Sequence, residues 1–290
     1  MAREVGKIMK TQIRKATVIF FIISTFSFMV SCQSKTIDLV NMQTISLEEV
    51  KTLYITYASE SITIYENDNN TFVLKEYMSA NKPEYYASIA SNSGNVTVNS
   101  GKRPSLGMKS YIELYLPNSF DGDFSIDTSS GKITINSAYS FENFDVKTAS
   151  GAIEIKEITA SESRIETSSG AINIFQLTGK MMIVSNSGEI KIDNAIGSGS
   201  YKTSSGMIDI SFNDISSDIT CGTSSGKIQL AIPKSLSFKL TAKTSTGAIQ
   251  VPSSDGIATT SNSASGTIGT NPTAQIDLST SSGAIEVSYQ

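Results

Sequence analysis

Thr128-Ser129-Ser130-Gly131-Lys132-Ile133-Thr134-Ile135 decides how the rest of the chain is read. Its pattern returns with the glycine at Gly151, Gly170, Gly188, Gly206, Gly226, Gly247, Gly266 and Gly283, and an earlier copy, Asn92-Ser93-Gly94-Asn95-Val96-Thr97-Val98, precedes it. Gly131 to Gly283 is 152 residues over 8 intervals, a mean of 19. Self-similarity at such a period marks a stacked array. The 37 residues from Gly94 to Gly131 make two units with a degenerate copy between them, and Glu60, followed by Ile62 and Ile64, fills the glycine slot of a still earlier one.

Each position of the unit has a physical task. The residue two after the glycine is Ile in all nine copies from Gly131, and the residue four after it is Ile, Leu or Val in eight, Thr270 being the exception. Polar or small residues stand between them, from Thr134 and Glu154 to Glu286, so the segment alternates as a strand with one buried face. Alternation continues backwards to Ile126, Val146, Ile165, Ile183, Tyr201 and Cys221, five before the glycine. Two strands therefore meet at a Ser-Gly corner. There a glycine is expected to supply a positive φ, and the Thr or Ser three before it to hydrogen-bond local backbone.

A 19-residue unit cannot bury its own apolar face, but stacking can. Equivalent positions in a parallel ladder lie about 4.8 Å apart. The Ile residues then form continuous internal columns, each buried side chain contributing roughly 1.5–3 kcal/mol. The expected fold is all-β, a single parallel β-solenoid of about 12 coils over 45–290, a rod of about 60 Å. No helical periodicity is sustained. Leu114-Tyr115-Leu116-Pro117-Asn118-Ser119-Phe120 and Leu230-Ala231-Ile232-Pro233-Lys234-Ser235-Leu236 form a longer echo, in which proline ends a strand.

Residues 1–31 read as an address. Arg3, Lys7, Lys10, Arg14 and Lys15 precede an apolar run from Ala16 to Val30, too short for a spanning helix. Met1 and Met9 both serve as starts. Met29-Val30-Ser31-Cys32 resembles the bacterial lipoprotein signal, with Met where Leu is usual. That resemblance implies lipidation of Cys32, a tether over 32–44, and an extracytoplasmic protein held on a bacterial membrane. An ordinary secretory signal or an uncleaved anchor are the alternatives.

The composition of the 290 residues narrows the chemistry. The chain has 48 Ser and 36 Ile, no His and 2 Cys. Without His, Ser-His-Asp and Cys-His catalysis are excluded. The net charge of −4 becomes −8 once residues 1–31 are removed, which disfavours nucleic acid as a partner. With Cys32 lipidated, Cys221 remains a lone thiol in an inward column between Tyr201 and Ala242, expected to be inert. The outward column Asp127, Lys147, Glu166 alternates in sign, and Glu154, Asn173, Lys191, Asp209 is mixed. Neither builds a carboxylate pair, so no catalytic residue, cofactor or metal is expected. Asp121-Gly122-Asp123 and Glu66-Asn67-Asp68-Asn69-Asn70 lack calcium-loop spacing and read as polar turns. Tyr54, Tyr57, Tyr65, Tyr77, Tyr85 and Tyr86 cluster in the first third. They are expected to close the rod's end, an aromatic binding strip being the alternative. The last copy, Gly283 to Val287, stops near Gln290 and is expected to leave an edge strand for docking or self-association.

The S-G-x-I-x-I copies, the Leu-Pro-x-Ser corners and the Leu53-Tyr54-Ile55…Ile62-Thr63-Ile64 start resemble the bacterial putative-adhesin family of β-strand-repeat, toastrack-like cell-envelope proteins over roughly 45–290. The resemblance implies an extracytoplasmic β-solenoid, often membrane-tethered, sometimes linked to envelope-stress systems, with no catalytic residues to carry over. Three functions follow as expectations. The first is a lipid-anchored structural or interaction surface with a protein or glycan partner. An envelope-stress sensing module is the second, and a carbohydrate-active enzyme, disfavoured by the missing acid clusters, is the third.

Overall fold

The computed structural model describes residues 36–104, 106–252 and 256–290. The expected signal peptide and Cys32 lie outside them. Twenty strands among the described residues form one continuous sheet. They are β1 (Asp38–Ser46), β2 (Thr52–Tyr57), β3 (Ser61–Asn67), β4 (Thr71–Met78), β5 (Ser88–Asn92), β6 (Asn95–Asn99), β7 (Ser110–Pro117), β8 (Asp123–Thr128), β9 (Ile133–Thr148) and β10 (Ile153–Thr167). The second half continues with β11 (Ile172–Ser185), β12 (Ile190–Lys202), β13 (Ile208–Gly222), β14 (Ile228–Ile232), β15 (Phe238–Thr244), β16 (Ile249–Gln250), β17 (Ile257–Thr259), β18 (Ser263–Ile268), β19 (Ala274–Thr280) and β20 (Ile285–Tyr289).

The centre is the expected solenoid. β9 to β13 pair in parallel, Ile133, Ile153, Ile172, Ile190 and Ile208 falling in one register. In β10 the alternation of buried and exposed residues breaks twice, at Lys156-Glu157 and at Ser161-Glu162, where two neighbours both avoid the core. Each coil is thus three short inward-facing runs bent around a core of stacked Ile, Val and Phe.

The corners need glycine for a different reason from the one expected. None of Gly131, Gly151, Gly170, Gly188, Gly206, Gly226, Gly247 and Gly283 has a positive φ. Instead the corners stack backbone on backbone. A Cβ on Gly188 would sit 1.7 Å from the carbonyl oxygen of Gly170, and one on Gly151 1.9 Å from that of Gly131. The Thr three residues earlier binds both layers. Thr167 Oγ1 accepts from Gly170 N at 3.1 Å and donates to the Gly151 carbonyl at 3.3 Å. Glu60 occupies the first corner, as its place in the repeat predicts, and its carbonyl lies 1.8 Å from a Cβ built on Gly131.

Two expected corners are hairpin positions. Gly94, with φ +83, follows Ser93 at φ 49 in the two-residue turn between antiparallel β5 and β6. Such turns require positive φ at both central residues. Gly266 lies inside β18, facing Leu240 of antiparallel β15. The sheet is therefore not parallel throughout, since β1, β4, β5, β17 and β18 all pair antiparallel. The expected tether is partly strand as well, because β1 pairs with β4 from Asp38 onward.

Stacking order departs from chain order at both ends. β2 lies between β6 and β8, and β3 between β7 and β9. At the other end β19 lies between β13 and β15, and β20 between β14 and β16. The last repeat is thus an interior coil, flanked on both sides along β19 and at Ile285 and Glu286 of β20, instead of the wholly free terminal edge expected from the sequence. The coil of β15 and β16 stands one strand width away from β13 and β14, and β19 and β20 fill that space. The Leu-Pro-x-Ser echo marks where the chain leaves the stack, with matching turns from Phe120 N to Pro117 O and from Leu236 N to Pro233 O, both 3.1 Å.

Candidate interaction surfaces

The N-terminal end holds a buried ionic cluster. Glu76 projects inward from β4 in the alternation Phe72, Leu74, Glu76, Met78, and it is fully buried. Its carboxylate accepts from Tyr57 Oη at 2.9 Å, Asn41 Nδ2 at 2.7 Å and Ala87 N at 2.8 Å, and it contacts Arg103 Nη2. Arg103 comes from the irregular segment between β6 and β7. Its Nη1 lies 2.7 Å from Glu60 Oε1, off the angle of a directed hydrogen bond, so the contact is charge pairing. Its Nε donates to Tyr85 O at 2.8 Å, and its guanidinium lies over the Tyr57 ring. Burial alone would raise the Glu60 carboxyl; the Arg103 charge and local hydrogen bonds outweigh it and hold the group below its ordinary range. Burial, then the Glu76 charge, pushes the Tyr57 hydroxyl far up.

This cluster is internally charge-paired and buried under the first coils, so it reads as a cap on the rod. On the far side of Glu60 the next layer, β6 and β7, is joined by the irregular segment that carries Arg103, and a side chain stands where the interior layers have glycine. Arg103 and Glu76 were not singled out from sequence. The one legible signal was a Glu at an inward position of β4.

The tyrosines divide. Tyr57 is core, whereas Tyr77 and Tyr65 face outward on β4 and β3 beside Tyr111 and Tyr115 of β7. Tyr77 stacks on Tyr111 at 4.5 Å and Tyr65 on Tyr115 at 5.3 Å. The Tyr77 and Tyr115 hydroxyls both donate to Glu113 Oε2 at 3.0 Å. Burial and the Glu113 carboxylate raise the Tyr77 hydroxyl to about 12. Exposed Leu39 and Met42 of β1 extend this face.

The outer columns carry compensated charge. Ion pairs join Lys132 to Glu154 at 2.6 Å, Arg164 to Glu166 at 2.7 Å, Lys180 to Glu162 at 2.7 Å and Lys227 to Glu286 at 2.6 Å. Among the described residues no group of three or more His, Cys, Asp or Glu could hold a metal ion. Asp123 Oδ1 accepts from Asn143 Nδ2 of β9 across the sheet, and Asn67 Oδ1 accepts from Asn69 N within the turn after β3. Cys221 is fully buried between Tyr201 and, because of the inserted coil, Leu278 rather than Ala242. Burial raises its thiol far above the ordinary range. Concavities among the described residues include one of about 340 Å³ around exposed Phe175 and one of about 680 Å³ across β9 to β13.

The family profile described as Toastrack DUF4097 matches residues 50–288. No curated protein matches the sequence. Among solved structures, one described as a putative adhesin from Parabacteroides distasonis is similar at 14% identity and a TM-score of 0.52, covering 85% of this chain and 96% of its own. Another described as a putative adhesin, from Bacteroides fragilis, is similar at 13% identity and 0.49, covering 88% and 98%.

Proposed function

Starting from the fact that this chain belongs to the toastrack family, we propose that it is a lipid-anchored, extracytoplasmic β-solenoid of the bacterial envelope, serving as a non-catalytic structural and interaction surface. One observation carries the reading. The stacked corners build a long rod whose outward columns pair their charges side by side, leaving a broad neutralised surface instead of a focused acid–base centre. The description of the Parabacteroides distasonis neighbour as a putative adhesin agrees with an adhesive surface role. No helix among the described residues is long and apolar enough to cross a membrane; in this reading the anchor is the lipid on Cys32, as the Met29-Val30-Ser31-Cys32 pattern suggests.

The test is metabolic labelling with an alkyne fatty acid in intact cells. Label is expected on the wild-type chain, absent from Cys32→Ser and diminished by globomycin, with added protease trimming the rod from whole cells. An unlabelled chain refutes the anchor. A labelled chain protected from protease in cells with a permeabilised outer layer refutes the extracytoplasmic placement.

A further inference from the structure

The groove of about 680 Å³ crossing β9 to β13 owes its depth to small residues. At one level the inward column reads Phe144, Ser163, Met181, Gly199, Ile219 in successive strands. A serine and a glycine interrupt a column otherwise filled by large apolar side chains. Gly199 cannot grow, since a Cβ there would meet the Met181 carbonyl oxygen at 2.2 Å. Outward neighbours Ser198 and Ser200 leave the wall bare above it.

Ser163 supplies an independent observation. It lines the groove, is 3% exposed, and its hydroxyl has no hydrogen-bond partner among the described residues. A buried hydroxyl is ordinarily satisfied, and one that is not asks what it serves.

The lining chemistry selects the occupant. Lys180 is paired with Glu162 and Arg164 with Glu166, so the cations are already neutralised and an anionic ligand finds no free partner. Asp218 accepts from Gln275 N at 2.9 Å. Asp145 stands beside them with no hydrogen bond to its carboxylate among the described residues, facing Arg164, Lys147, Glu166 and Asp127 at longer range. β10, β11 and β12 are paired along both edges, so an extended peptide has no backbone edge there to join. What remains is a row of hydroxyls, one carboxylate and the half-exposed Met182 thioether. Five strands span about 19 Å, enough for several sugar rings in a line.

We propose that this groove binds a short neutral oligosaccharide. Asp145, Ser198 and Ser200 hydrogen-bond its hydroxyls and Met182 packs against its C–H face. The proposal rests on the surface-protein reading and names the ligand class of that surface.

The experiment is saturation-transfer NMR on the full chain with maltotriose, cellotriose, xylotriose and triacetylchitotriose as probes. At least one probe is expected to receive transfer. Ser200→Trp, which fills the groove from an outward position, weakens it about tenfold or more, and Asp145→Asn weakens it about threefold. If Ser200→Trp melts early, Asp145→Ala and Met182→Ala carry the same test. No transfer to any of the four probes overturns the proposal, as does transfer unchanged in the groove variants. Fatty-acid labelling of Cys32 that persists while the groove fails leaves the surface-protein reading standing; its loss removes that reading and leaves the NMR result unaffected.

Discussion

Replacing Gly188 by Ala tests the stacked-corner account directly. The added Cβ would sit 1.7 Å from the Gly170 carbonyl oxygen and 2.5 Å from its carbon. Reaching ordinary contact, about 3.4 Å, requires the two corners to part by nearly the same distance again. Two backbone bonds span that junction, from Asn186 N and Ser187 N to Ser168 O, at 3.2 and 3.0 Å. Neither survives such a separation. Each is worth about 0.5–1.5 kcal/mol net. The expected loss is therefore about 2 kcal/mol, read as a lower urea midpoint by circular dichroism. Gly222→Ala is the matched control, since its Cβ would meet nothing closer than Ser279 Oγ at 3.6 Å and its φ is not positive. Asparagine separates the two explanations of the glycine, because it tolerates positive φ. Gly188→Asn should fall as far as Gly188→Ala, whereas at Gly94 Asn should be milder than Ala. A Gly188→Ala chain within about 0.5 kcal/mol of wild type refutes the close-approach argument.

Four further outcomes are expected. Arg103→Met leaves two buried carboxylates without their cation and should cost about 3–5 kcal/mol. Because the folded Glu60 carboxyl lies below its ordinary value, its contribution is present above the unfolded pKa and lost as pH falls through the folded one. A thermal-denaturation series should thus show an acid-side decline that Glu60→Gln flattens, and an unchanged slope contradicts the assignment. Ile172→Asp places a charge in a fully buried column and should unfold the rod, whereas Asn173→Asp on the outward neighbour should be near silent; equal effects refute the register. Ending the chain at residue 273 removes β19 and β20 from between two other coils, so proteolysis should consume the region beyond β13, and a protease-resistant β15 would contradict the inserted order.

The fold's centre was legible because the repeat is local. Ile at +2 and +4 and Thr or Ser at −3 act on neighbouring coils, and a 19-residue period carries that information in the chain. The ends were not legible because the deciding contacts there are between distant segments that keep the same local pattern. Gly94 and Gly266 sit in sequences that pass for corners, yet Gly94 turns a hairpin and Gly266 pairs with β15. Nothing within either copy distinguishes a strand that stacks in parallel from one that folds back. The Arg103 cluster was hidden for a related reason, since its members are separated by as many as 62 residues from Asn41 to Arg103. Ser163 was invisible because serine is common in every coil, and only the register places this one between Phe144 and Met181.

The inserted terminal coils resolve a problem that every stacked array faces. An end coil exposes a row of unpaired backbone groups and an apolar face, and a long bare edge invites association. Here each end is covered by an excursion of the chain rather than by a separate cap. At the C-terminal end the outermost strands are short, three residues in β17 and two in β16, and the hairpin of β17 and β18 shields β15. The cost falls on folding order. The central coils join segments about 19 residues apart, but Thr280 reaches the Gly226 carbonyl across 54 residues and Lys227 reaches Glu286 across 59. Loop closure makes such contacts slower than the local ones. The geometry therefore predicts that β9 to β13 form first and that the last coil locks the end after its neighbours are in place. Hydrogen-exchange pulse labelling during refolding checks this. Ile153, Ile172 and Ile190 amides should gain protection before that of Ile285, and the reverse order contradicts the sequence of assembly.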